Sequence, residues 1–119
     1  MDRIIYVDVD DTLVRSVGAK RIPMPSVIDG VRHLKIEGAT LYLWSSGGAD
    51  YCRRTADELG LADCFIGFLP KPTTYVDDQS VAGWRFCQHA YPGQVDAALI
   101  CLLWGGLGQL LYLFAQPGR

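Results

Sequence analysis

Apolar residues run without a break through Ile4, Ile5, Tyr6 and Val7, then meet carboxylates at Asp8, Asp10 and Asp11, with Thr12 next. A continuous run rich in Ile and Val predicts a strand buried on both faces of a parallel sheet. A second run over 39–44 ends in Ser45-Ser46-Gly47-Gly48, and a third over 64–69 leads into Pro70-Lys71-Pro72. A fourth, over 73–76, ends in Asp77-Asp78. Between the first two runs, the spacing of Val27, Val31 and Leu34 predicts a helix over 27–37, capped by Ser26 and stopped at Gly38. Cys52, Ala56 and Leu59 share one face of a second predicted helix over 49–59, with Arg53, Arg54, Asp57 and Glu58 largely solvated. Residues 15–25, carrying Gly18, Pro23 and Pro25, read as an irregular loop able to form a flap beside the carboxylates.

Strand–helix–strand–helix–strand–strand implies an α/β fold: a Rossmann-like parallel sheet with helices on both faces. All strand ends then share one edge, where open α/β sheets keep their ligand crevice. Asp8, Asp10, Ser45, Lys71 and Asp77 are expected to converge there. Three carboxylates in four positions repel one another unless a cation lies among them, and hard oxygen ligands favour Mg²⁺. The plainer alternative is that they are turn residues. Residues two apart in an extended chain point the same way, so Asp8 and Asp10 can serve one site, one attacking while the other handles protons. The turn at Ser45 to Gly48 is either a cradle of N–H groups for phosphate or a flexible turn with a serine cap. Lys71, stiffened between two prolines, is either aimed at a charged site or an ordinary surface lysine.

These residues resemble the motifs of the haloacid dehalogenase superfamily of phosphohydrolases. Asp8-Val9-Asp10-Asp11-Thr12 is similar to its first motif, an apolar strand followed by Asp-x-Asp-x-Thr/Val. Ser45 corresponds to the second, Lys71 to the third and Asp77-Asp78 to the fourth, in order over roughly residues 4–90. The resemblance implies that Asp8 attacks phosphorus to form an aspartyl-phosphate and that Asp10 is the general acid and base. It implies Mg²⁺ held by the Asp8 carboxylate, the Asp10 carbonyl and Asp77, with Asp78 as an outer or alternative ligand. Ser45 and Lys71 would bind the transferring oxygens, helped by main-chain N–H groups near Val9 and Ser46, and Thr12 would tie down the loop. Many family members insert a mobile cap domain after the first motif or the third strand. Here both gaps are too short, so an open site is expected, admitting a large phosphorylated substrate or relying on a partner subunit for closure. The stretch between Cys64 and Asp77 is compressed relative to the family, and no fifth strand and helix of its usual kind follow.

Composition narrows the alternatives. At 119 residues the chain is expected to form one domain, and with a net charge of −2 and a pI near 5.5 it carries no nucleic-acid footprint. Cys52, Cys64, Cys87 and Cys101 lack metal-type spacing and read as small buried or semi-buried thiols of a reducing compartment. The amino terminus leads straight into the first strand, from which a cytoplasmic protein is expected. Residues 1–92 are read as the catalytic core and 93–119 as an apolar segment. Residues 97–115 carry no charge, so this segment is either packed within the fold, an interface of a homo-oligomer, or a membrane anchor. His33 and His89 read as surface residues, and Trp84 and Phe86 as packing for the segment after the fourth strand. Two rival functions remain at this level: a phosphoacceptor receiver module, which needs an Asp where Ser45 stands, and a non-catalytic binding protein of the same fold.

Overall fold

The computed structural model describes residues 3–95, which run β1 (Ile4–Asp8), β2 (Val14–Val17), β3 (Lys20–Pro23), α1 (Pro25–Ile36), β4 (Thr40–Ser45), α2 (Ala49–Glu58) and β5 (Gly67–Pro70). β1, β4 and β5 form a parallel sheet in that order, with Ile4 opposite Thr40, Asp8 opposite Trp44 and Ser45 opposite Pro70. This is the expected α/β class. The segment 97–115 lies outside the described residues.

The sheet does not have helices on both faces among the described residues. The strand order advances in one direction, and successive right-handed crossovers then put both helices on the same side. Val7, Leu41 and Leu43 join Val27, Val31 and Leu34 of α1 and Cys52 and Ala56 of α2 in one buried cluster. Burying each large aliphatic side chain contributes roughly 1.5–3 kcal/mol. The opposite face carries Ile4 and Tyr6, 63% and 46% exposed, so β1 is not buried on both faces. There the Tyr6 ring lies 5.0 Å from both Tyr42 and Trp44. Gly67, beside Tyr42, leaves room for that ring: a Cβ would stand 2.9 Å from its Cδ1.

Several local expectations are corrected. Residues 15–25 are not irregular: β2 and β3 form an antiparallel hairpin closed by a two-residue turn, with Gly18 at φ +61° in the position where tight hairpins favour glycine. α1 starts at Pro25, not after a Ser26 cap, because proline's fixed φ and missing N–H suit a first helical position. Both helices stop as expected at glycine. Gly38 N–H bonds Lys35 O and Ala39 N–H bonds Leu34 O, while Gly60 N–H bonds Asp57 O and Leu61 N–H bonds Ala56 O. The third strand starts at Gly67, because a single helical turn at Ala62–Cys64 precedes it. No strand forms over 73–76. Phe86 is 75% exposed and packs little, whereas Trp84 meets Tyr75 edge-on at 6.5 Å. His33 and His89 are exposed; Cys52 is buried and Cys64 half-buried as expected, whereas Cys87 is exposed because its segment lies outside the core, and all three thiols are free. No helix among the described residues is long and apolar enough to cross a membrane.

Candidate active site

The site begins where β1 ends. After Asp8 the chain turns sharply, and Val9 O accepts from the N–H groups of Thr12, Leu13 and Val14. Val9 and Leu13 are fully buried and pin this turn to the core. Asp11 sits at φ +59°, a conformation Asp tolerates better than most side chains. Asp8 therefore leaves the sheet at its carboxyl edge, 30% exposed, with Asp10 just beyond it. Thr12 Oγ1 donates weakly to Asp8 Oδ2 at 3.4 Å, the tethering contact expected of it.

β5 delivers the lysine. Lys71 N–H donates to Ser45 O at 2.9 Å, extending the parallel ladder one residue past Pro70. The side chain then crosses the sheet edge, placing Nζ 3.1 Å from Asp8 Oδ1 and 5.7 Å from the centre of the Trp44 ring. Asp8 and Lys71, on the two outer strands, thus meet in front of the middle one. A partly exposed pair adds at most about 1 kcal/mol of stability. Its value is electrostatic: an ammonium beside a carboxylate offsets the repulsion that an incoming anion would meet there.

Ser45 is 1% exposed and its Oγ accepts the Gly47 N–H at 3.0 Å. The hydroxyl shapes the turn and still has its own proton to donate. Ser46 is exposed. α2 follows at once, with no side-chain cap at Gly48, so its first N–H groups open onto the same edge.

Three residues here were not singled out in the sequence. Tyr51, in the first turn of α2, donates its hydroxyl to Asp10 Oδ1 at 2.6 Å. Burial and then this bond push its phenol above the usual value, so it remains a donor at neutral pH. Arg21, from the hairpin, lies 5.1 Å over the Tyr51 ring. It donates to Thr55 Oγ1 at 2.8 Å and to Glu58 Oε2 at 3.1 Å. Trp44 is the third, beneath Lys71. The available signal was the spacing of Tyr51, Thr55 and Glu58, one stripe of a helix. It pointed to no chemistry until the hairpin supplied a cation.

The second acidic pair is placed differently. Asp77 and Asp78 lie in an exposed segment beyond β5, where Asp77 Oδ1 accepts the Gln79 N–H at 2.9 Å. That amide, then the Asp78 side chain, holds the Asp77 carboxyl below the usual range. Among the described residues, no three His, Cys, Asp or Glu side chains come together in a group able to hold a metal ion. Asp8, Asp10, Ser45, Ser46 and Lys71 share the sheet edge, and Asp77 and Asp78 do not join Asp8 and Asp10 in such a group. A hydrated Mg²⁺ needs only one or two carboxylates when waters and substrate oxygens complete its shell, and the Asp8 carboxylate and Asp10 carbonyl suit that reduced set.

No family model, no curated protein and no solved structure matches the chain.

Proposed function

We propose that the protein is a Mg²⁺-dependent phosphomonoesterase working through an aspartyl-phosphate on Asp8, as the resemblance to haloacid dehalogenase-type phosphohydrolases implies. One observation carries the reading: the 3.1 Å approach of Lys71 to the Asp8 carboxylate at the carboxyl end of a parallel sheet, with Asp10 beside it. An Asp8 oxygen attacks phosphorus as the bond to the leaving oxygen breaks, and that oxygen takes the Asp10 proton. Asp10, now a carboxylate, removes a proton from water, whose oxygen attacks the same phosphorus and frees Asp8. Lys71, the Ser45 hydroxyl and N–H groups near Ser46 stabilise the charge on the transferring oxygens. Mg²⁺, held by Asp8 and Asp10 with water, would supply further neutralisation of the phosphoryl group; Asp77 and Asp78 remain candidate ligands only if they approach it.

The gaps beside the site hold only a short hairpin and one helical turn, which favours a large phosphorylated substrate over a small one sealed beneath a cap. The receiver reading needs an Asp at the end of the middle strand, a position held here by Ser45. A cytoplasmic location suits this activity. The test is a hydrolysis screen over sugar phosphates, nucleotides and phosphopeptides, with and without Mg²⁺. Turnover that requires the metal and vanishes in Asp8→Asn supports the reading. Stable phosphorylation of Asp8 without turnover would replace it with a signalling switch, and inertness toward every ester with a binding protein.

A further inference from the structure

We propose that Tyr51 is the positioning residue for Asp10, and that the hairpin's Arg21 holds Tyr51 in place. The inference rests on the phosphatase reading and adds a specific requirement for poor leaving groups. Asp10 is exposed and sits in a turn, where a short carboxylate side chain would otherwise sample several rotamers. Its Oδ1 is instead bound at 2.6 Å by the Tyr51 hydroxyl, leaving Oδ2 to carry the proton toward the leaving oxygen.

The ring that presents this hydroxyl is itself constrained from two directions. Gly47 abuts it so closely that a Cβ there would stand 2.8 Å from Cδ2 and 3.1 Å from Cγ. Arg21 covers the ring while its guanidinium is tied to Thr55 and Glu58, one and two turns further along α2. Thr55 is 1% exposed, so one of the two anchoring contacts is buried. The chain of contacts runs from the hairpin, through helix and ring, to one oxygen of the general acid. A tyrosine serving only the fold would not need its hydroxyl on a solvent-facing carboxylate.

The experiment compares kcat/KM of wild type and Tyr51→Phe on two esters. p-Nitrophenyl phosphate releases a phenolate that needs no proton, whereas β-glycerophosphate releases an alkoxide that does. General acid catalysis supplies about 10²–10⁴-fold, so loss of its alignment is expected to lower β-glycerophosphate turnover about tenfold and p-nitrophenyl phosphate turnover less than about twofold. Arg21→Lys, which keeps the charge but loses the planar fork, is expected to shift the ratio of the two esters the same way by about threefold. Equal losses on both esters, or none, in a protein whose wild type is active would overturn the positioning role and leave the phosphatase reading standing. A wild type inert toward both esters and toward every other ester of the hydrolysis screen overturns the two together.

Discussion

Two acidic pairs in this chain follow the same local grammar and meet different ends. Ile4 to Val7 leads into Asp8 and Asp10, and Thr73 to Val76 leads into Asp77 and Asp78. The first run pairs residue by residue with β4 and is backed by a core containing Val7, Val9 and Leu13. The second pairs with nothing among the described residues, and Val76 is 97% exposed. The difference is not propensity, since both runs favour strands. A strand needs a neighbour to take its N–H and C=O groups and a surface to bury its side chains. β1 has both, so Asp8 is held at the sheet edge against Lys71 and Asp10 against Tyr51. Asp77 instead spends its carboxylate on the nearby Gln79 amide.

The contrast can be broken most forcefully at Asp8. Asp8→Asn is expected to lower turnover by about a thousandfold or more, because an amide neither attacks phosphorus nor pairs with Lys71. Steady-state hydrolysis of the best ester measures it, and activity within tenfold of wild type would remove Asp8 from the chemistry. Packing comes next. Leu41→Ala should destabilise the fold by about 2–5 kcal/mol, whereas Val76→Ala should stay within about 0.5 kcal/mol, as read from urea unfolding midpoints. A comparable loss at Val76 would show that its segment packs after all.

Thiol chemistry draws the same line more gently. Burial, and then the Asp8 charge, pushes the Cys52 thiol up, while Cys87 is exposed. Because the raised group is favoured neutral in the fold, the associated stability is intact below the ordinary thiol pKa and is lost as pH rises through the folded value. Iodoacetamide at mildly alkaline pH should therefore alkylate Cys87 well before Cys52, with peptide mass spectrometry as the readout, and the reverse order would contradict the burial. The smallest effect is expected at Asp77→Asn. With Asp77 outside any three-residue ligand group, the Mg²⁺ concentration for half-maximal activity should move less than about threefold. A shift of tenfold or more would mean that Asp77 reaches the ion during catalysis.

Much of this was legible before any coordinates. Gly38 and Gly60 announced the helix ends because a left-handed residue is nearly required there, and both motifs form. The runs at 4–8 and 39–45 announced parallel strands whose polar ends share an edge, and Asp8, Ser45 and Lys71 do share it. The hairpin stayed hidden because Pro23 and Pro25 suggested disorderly chain, yet Pro23 stands last in its strand and Pro25 first in its helix. Tyr51 stayed hidden because a tyrosine in a first helical turn has no chemistry of its own until a carboxylate is placed against it.

Local pattern is enough to mark the residue types able to take part in chemistry and the segments that bury apolar surface, since these depend on neighbours a few positions away. Which carboxylates come together, that Lys71 meets Asp8, that Arg21 reaches α2, and that one face of the sheet holds both helices emerge with the packed fold. Those outcomes depend on strand order and crossover hand, which act between residues distant along the chain and leave no periodic trace in it.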